Sequence, residues 1–370
     1  MSTGSTARGT EDTSDGQEFS TAGSTLNEAS SPQTEDSSPQ ADVSRETAAQ
    51  NPPPRPFAVR TAAEMAEFEP EVADDLTPLA RATEFSLSMR EGASRRPPAP
   101  RPRATRVFVV ANQKGGVGKT TSTVNIAAGL SSLGQRVLVI DLDPQGNAST
   151  ALNVEHRRGV PSTYDALVDG VVLDDVITPC PDLSNLWVVP ATIDLAGAEI
   201  ELVSVVAREG RLRKAIQGHP WVGDAQSAGE DRFDYVLIDC PPSLGLLTLN
   251  ALVAGEEMLI PIQAEYYALE GLGQLLETVD MVRAHLNPAL AVSTILLTMY
   301  DARTRLAAGV AEEVREHFGD QVLRTAIPRS VRVSEAPSYA QTVMTYDPGS
   351  PGALSYLEAA REIAGRGVSL

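Results

Sequence analysis

The sequence predicts an α/β fold, a doubly wound and mostly parallel sheet with helices on both faces, and three observations carry that reading. Short Val/Ile/Leu runs alternate with helix-length amphipathic stretches, a glycine-rich turn joins the first run to the first helix, and the apolar text begins only near Thr105. Runs that are apolar throughout suit strands buried on both faces, as in a parallel sheet. Helices of ten or more residues between them supply the crossovers.

Up to Ala104 the chain holds 12 of its 26 prolines and no Ile, Trp or Tyr. Such text cannot bury enough apolar surface to offset its chain entropy. Residues 1 to about 55 read as a flexible tail. Between Phe57 and Arg90 the weakly amphipathic FAVRTAAEMAEFEP and LTPLARATEFSLSM read either as one or two short helices or as a spacer, before PPAPRPR restores an extended linker. The expected division is therefore a disordered Pro/Ser/Glu-rich segment over 1–104 and one α/β domain over 105–370.

Within that domain RVFVVA (106–111) is the first strand and feeds the glycine turn. Ile126, Leu130 and Leu133 then recur at i, i+4 and i+7, Gly134 supplies the stop, and VLVID (137–141) completes a βαβ unit of right-handed crossover. Further strands are expected at 186–190, 234–239, 257–262 and 292–299. Helical patterns lie between them, as the stripe Ile193, Ala196, Ile200 and Val203 and as the stretches 267–286 and 304–318. No repeat of fixed period is present.

The formal charge of −19 divides into −7 before Thr105 and −12 from it onward. A uniformly basic surface is excluded, so any nucleic-acid contact must come from a local patch. Two cysteines suit a reducing cytosol rather than a disulfide framework. No apolar run approaches the length of a membrane span, and the start MSTGSTARGT carries neither an h-region nor a myristoylation glycine. A soluble intracellular protein is expected. Lysine is scarce, three against 27 arginines, yet Lys114 and Lys119 share one loop. Where Arg replaces Lys elsewhere, a retained Lys points to a need for its compact ammonium.

That loop is Lys114-Gly115-Gly116-Val117-Gly118-Lys119-Thr120-Thr121, after a strand and opening a helix. Its backbone N–H groups and the helix N-terminus form a concave site for phosphates. Lys119 would reach the β- and γ-phosphates and the Thr120 hydroxyl would ligate Mg²⁺. Gln113 stands where the pattern G-x-x-x-x-G-K-[ST] has its first glycine, and Lys114 adds a cation at the entrance. KGGVGKTT resembles the deviant Walker A motif of the ParA/MinD group of P-loop ATPases. The resemblance implies a P-loop NTPase fold, ATP and Mg²⁺ as ligands, and a homodimer formed with ATP in which Lys114 reaches the partner's nucleotide.

Two strand ends add carboxylates. Asp141-Leu142-Asp143-Pro144-Gln145-Gly146-Asn147 follows the second strand, and Asp239 ends DYVLID before Cys240. By residue type alone the first reads as a β-turn or as a water- and metal-orienting segment, and the second as a turn cap or a metal ligand. The resemblance assigns Asp143 to hydrolysis, beside Lys114 and Lys119, and Asp239 to the Walker B position, with Thr120, Asp143 and Asp239 around the metal.

Similarity to chromosome-segregation ParA proteins, closest to the short chromosomal type found in actinobacteria, runs over roughly 106–366 through DLDPQGNAS, PATIDLAGAE, IDCPPSLGLLTLNAL, EYYALEGL, TMYDARTRLA and IPRSVRVSEAPSYAQTV. The N-terminal region shows no helix-turn-helix pattern of the kind plasmid relatives carry. The resemblance implies adenine contacts from Met299, Tyr300, Pro328 and Arg329, which by residue type could equally be core packing. It implies non-specific DNA contacts from Arg303 and Arg332, with Arg305 and Arg329 as neighbours. Six arginines and six acidic residues lie between Tyr300 and Glu335, so the text alone reads as a solvated mixed-charge surface. Arg211, Arg213 and Lys214 form the other dense basic cluster.

The function implied is an ATP-driven switch in chromosome or plasmid segregation, cytoplasmic and nucleoid-associated, with a ParB-like centromere-binding partner that triggers hydrolysis. Two rivals share the fold. A MinD-like membrane ATPase needs a basic amphipathic C-terminal helix, whereas Ala353, Leu357, Ala360 and Ala364 here oppose a net-neutral Glu358, Arg361, Glu362 and Arg366. An iron-sulfur reductase needs two cysteine ligands per subunit, and Cys180 and Cys240 read as structural. Neither a membrane nor a cluster is expected.

Overall fold

The computed structural model describes residues 99–265 and 268–366; the expected tail and the short helices within Phe57–Arg90 lie outside the described residues. Seven strands form one sheet: β1 (Arg106–Val110), β2 (Val137–Asp141), β3 (Thr178–Pro179), β4 (Leu186–Val189), β5 (Tyr235–Asp239), β6 (Glu257–Gln263) and β7 (Ala291–Thr298). They stand in the order β3-β4-β2-β5-β1-β6-β7. All neighbours are parallel except β3 and β4. The two-residue edge strand β3 carries no periodic apolar signal and was not anticipated from the sequence.

Every residue of β1, β2 and β5 is buried, as their unbroken apolar text requires. Successive residues serve opposite faces of the sheet: Phe108 and Val110 join one core cluster, Val107 and Val109 the other. The register sets Val110 beside Asp239 and Asp141 beside Asp239, so three strands end level at the carboxyl edge. In open α/β sheets that edge is where ligands bind.

The main helices are α1 (Lys119–Ser132), α2 (Asn147–Ala151), α3 (Leu195–Glu201), α4 (Arg211–Gln217), α5 (Leu246–Ala254), α6 (Ala268–His285), α7 (Arg305–Phe318), α8 (Val331–Glu335) and α9 (Pro351–Arg366). Helix α1 buries Ile126 and Leu130, with Leu133 just past its end, and stops where Gly134 adopts φ 84°. It packs on α9 at Gly129, where an added Cβ would stand 2.8 Å from Ala360 Cβ. Ala353, Ala360 and Ala364 of α9 are thereby buried, so its small-residue face belongs to the core. Among the described residues no helix is long and apolar enough to cross a membrane.

One apolar stripe faces the other way. Helix α3 buries Leu195 and Ala198, followed by Leu202, while Ile193, Ala196, Ile200 and Val203 are exposed. Both sets have helical spacing, and the sheet can receive only one.

Residues before Thr105 also belong to the fold. Arg101 Nε donates to both Asp234 oxygens at 2.8 and 3.0 Å, and its other nitrogens donate to Glu230 O and Arg232 O. Arg232 in turn donates to Pro102 O and Arg103 O, and Gln135 Nε2 donates to Ala99 O at 2.8 Å. This strap lies along the amino edge of the sheet, beside the start of β5.

Candidate active site

The glycine loop leaves β1 at the carboxyl edge. Asn112 Oδ1 accepts from the Lys114 N–H at 3.0 Å while its Nδ2 donates to Pro261 O at 2.8 Å, tying the loop entrance to β6. Gly116 and Gly118 adopt φ 76° and 88°, conformations that a side chain disfavours. The Thr298 hydroxyl donates to Val117 O at 2.8 Å and anchors the far side to β7. Helix α1 then starts at Lys119 with no acidic residue in its first turn, and no side chain among the described residues caps it. Its unpaired N–H groups and positive dipole end stay available to an anion.

Lys119 is buried, with Nζ 3.5 Å from Lys114 O. Burial lowers its pKa, while Asp239, Cys240 and Asp143 favour the charged form, which places both aspartates within electrostatic reach of the ammonium. Asp239 is fully buried; its Oδ1 accepts from the Thr123 hydroxyl at 2.8 Å. Its Oδ2 has no hydrogen-bond partner among the described residues. Burial foremost, and then the charge of Asp141, raise the Asp239 pKa, while the Thr120 and Thr123 hydroxyls pull it down.

Asp141 is closed off. Its Oδ2 accepts from the Ser149 N–H at 2.8 Å and hydroxyl at 2.7 Å, and its Oδ1 accepts from the Asp143 N–H at 3.2 Å. It shapes the turn, with three of its roughly four lone-pair sites taken by that turn's own donors. Asp143 is nine-tenths buried, and its Oδ1 is fixed by the Gln145 N–H at 3.0 Å. Sequence reading found Asp143 and Asp239 but missed Thr123, Asn112 and Thr298, whose roles depend on contacts distant in the chain.

Beside the loop lies a cavity of about 210 Å³ lined by Gly118, Thr121, Met299, Pro328, Arg329 and Tyr356, among others. The expected adenine segments do meet there: the Tyr300 N–H donates to Ile327 O at 2.9 Å and the Arg329 N–H to Tyr300 O at 3.3 Å. Met299 sits at φ 51°, a strained backbone for a side-chain residue. Tyr356, from α9, was not foreseen.

Lys114 and Arg329 share a counter-ion, Glu265, at 3.6 and 3.9 Å. The other expected DNA contacts are also exposed and ion-paired: Arg303 with Asp301 at 2.7 Å, Arg332 with Glu335 at 3.1 Å and Asp347 at 3.5 Å. Arg305 opens α7 behind the Thr304 cap. In the other basic cluster Arg211 is engaged by Leu167 O and Val168 O, and Arg213 reaches Leu286 O at 3.5 Å. Cys180 and Cys240 are buried in the clusters on opposite sheet faces.

A phosphate-cradling loop at a strand-to-helix turn, level with a buried strand-end aspartate, defines a P-loop ATPase, and Lys114 places it in the deviant subclass. Comparison with known proteins agrees. A family described as an AAA domain matches residues 105–292. The chain is 51% identical over 262 residues to the sporulation initiation inhibitor protein Soj of Bacillus subtilis, covering 71% of this chain and 99% of that protein. It is 48% identical over 261 residues to the chromosome partitioning protein ParA of Myxococcus xanthus, covering 70% and 88%. Among solved structures it resembles cobyrinic acid a,c-diamide synthase from Mycobacterium smegmatis with bound ADP and magnesium, at 37% identity and a TM-score of 0.58, covering 70% and 94%. The cell division ATPase MinD of Pyrococcus furiosus superposes with a TM-score of 0.56 at 26% identity, covering 70% and 99%. The chain belongs to the Soj/ParA family of chromosome-partitioning ATPases.

Proposed function

We propose that the domain is an ATP-gated dimerisation switch that coats DNA without reading sequence, in the cytoplasm at the nucleoid, and is released when a ParB-like partner stimulates hydrolysis. The observation that carries this is Lys114. Its ammonium lies against Glu265, while Lys119 occupies the loop and its helix start. One loop thus has a second cation, paired with Glu265 in the single subunit, that can exchange onto a neighbouring subunit's phosphates, and by linkage ATP binding becomes dimerisation free energy.

The residues fit Mg-ATP. Asp239 Oδ2 is a buried carboxylate oxygen lacking a partner, the Thr120 hydroxyl lies on the same side, and Asp143 is close by. Mg²⁺ held there would neutralise charge on the β- and γ-phosphates. Lys119 and the loop N–H groups hold the phosphates, Met299, Pro328 and Arg329 enclose the base, and Asp143 orients the attacking water with its Gln145-anchored carboxylate. Asp143 acts by positioning, so turnover is slow without a partner.

Lys114→Ala is expected to bind ATP yet show no ATP-dependent dimer by light scattering, and to fail to sediment with DNA in ATP where the wild type succeeds. A dimer unchanged in that variant, or wild-type DNA binding indifferent to ATP, ADP or neither, overturns the reading.

A further inference from the structure

We infer that His156 is a positioning residue for ATP hydrolysis, holding the turn that carries Asp143 by laying its ring over Gly146. The inference rests on the role given to Asp143 above and names what fixes that residue from outside DLDPQGN.

Asp143, Pro144, Gln145 and Gly146 form one turn, closed by the Gly146 N–H donating to Asp143 O at 2.9 Å. Gly146 stands at φ 63°, a left-handed backbone that glycine adopts freely, with no side chain of its own to pin it. It opens α2 without a side-chain cap among the described residues. The hold comes from farther along the chain. Helix α2 ends at Ala151, Asn153 turns left-handed at φ 56°, and the chain doubles back. His156 is thereby folded over the glycine: a Cβ on Gly146 would stand 2.7 Å from His156 Cδ2 and 3.3 Å from Nε2. The same Cβ would meet Ala191 O at 3.1 Å, so imidazole and the backbone just after β4 together fill the space a side chain would take.

Both ring nitrogens are engaged. Nδ1 lies 2.9 Å from Val154 O, and a carbonyl only accepts, so Nδ1 carries a proton. Nε2 lies 3.2 Å from the Thr150 hydroxyl oxygen, which itself stands 3.0 Å from Gly146 O. Neutral imidazole accepts from that hydroxyl at Nε2 and imidazolium donates to it, so the clasp holds in either protonation state. The ring is thus fixed at two points, and the second leads back to the carbonyl of the glycine it covers.

Asp143 feels this through the turn. Its Oδ1 accepts from the Gln145 N–H at 3.0 Å, one residue before Gly146, so drift of the glycine tilts the carboxylate. Misplacing a group that orients an attacking water by an ångström costs up to about 100-fold. The contacts of His156 named here lie in residues 146–154 and none in the phosphate loop, so ATP binding itself should be spared.

The test sets His156→Ala, His156→Gln and Asp143→Ala beside the wild-type full chain. Phosphate release from radiolabelled ATP gives kcat, a fluorescent ATP analogue gives affinity, and both are read well below every variant's melting temperature. His156→Ala should lower kcat about tenfold while affinity stays within about twofold. His156→Gln, whose amide offers a donor and an acceptor over the glycine, should recover most of the loss. Wild-type kcat in His156→Ala with Asp143→Ala inactive overturns the inference and leaves the role of Asp143 standing. A loss of kcat that tracks lost affinity, or that His156→Gln leaves uncorrected, reduces His156 to a structural residue and overturns it as well. Normal turnover in Asp143→Ala overturns the role of Asp143 and the inference with it.

Discussion

At the scale of single residues, the site turns on the two oxygens of Asp239. One is held by Thr123, and the other, on the side of the Thr120 hydroxyl, has no hydrogen-bond partner among the described residues. Thr123→Val keeps the volume and removes the donor, leaving a fully buried carboxylate oxygen uncompensated at a cost of about 1–3 kcal/mol. A lowered melting temperature and a higher Mg²⁺ requirement for ATP hydrolysis are expected; a variant matching wild type in both would show that Thr123 does not set the carboxylate. Asp143→Ala separates the steps differently. The variant should bind ATP, dimerise and remain on DNA while phosphate release in a coupled assay falls to background, and normal turnover would remove Asp143 from the mechanism.

At the scale of elements, α1 and α9 meet at Gly129 and Ala360. A Cβ on Gly129 would stand 2.8 Å from Ala360 Cβ and 3.4 Å from Tyr356 O. Gly129→Val should therefore lose about 1–3 kcal/mol by overpacking, even after the gain in helix propensity. Pairing it with Ala360→Gly should restore part of the loss in a thermal-melt double-mutant cycle; strictly additive losses would place the strain elsewhere. The strands, the glycine loop and the α1 stop were legible because their signals are local: continuous apolar runs, a glycine at a left-handed turn, a three-to-four-residue period. The face of α3 was not legible, since Ile193, Ala196, Ile200 and Val203 repeat as regularly as Leu195, Ala198 and Leu202, and only the sheet decides between them. Tyr356 reached the cavity beside the glycine loop from a helix more than 200 residues after the loop, and sequence spacing carries no trace of such a contact. Asp141 and Asp143 looked alike in DLDPQGN; Ser149, eight residues beyond Asp141, occupies the first and not the second.

At the scale of the whole molecule, charge is arranged in pairs. The Arg303 hydrogen bonds hold the Asp301 carboxyl down at about 2, so this pair stays ionised through the physiological range. If the proposed DNA contacts hold, phosphates have to displace such carboxylates, and binding is then expected to be weak per subunit and sensitive to salt, with log K falling about 0.9 per log unit of salt for each phosphate neutralised. Replacing Arg303 and Arg332 with Glu should abolish co-sedimentation with DNA while the ATP dimer persists by light scattering; retained binding would move the surface elsewhere. The strap at residues 99–105 has a mechanical consequence. The described chain enters the domain at the amino edge of the sheet, where Asp234 gathers Arg101, Arg232 and the Arg136 N–H, about 16 Å of β-strand away from the phosphate loop. A pull applied at Ala99 therefore meets that clasp and the starts of β1 and β5 first, at the end of the strands opposite the phosphate loop.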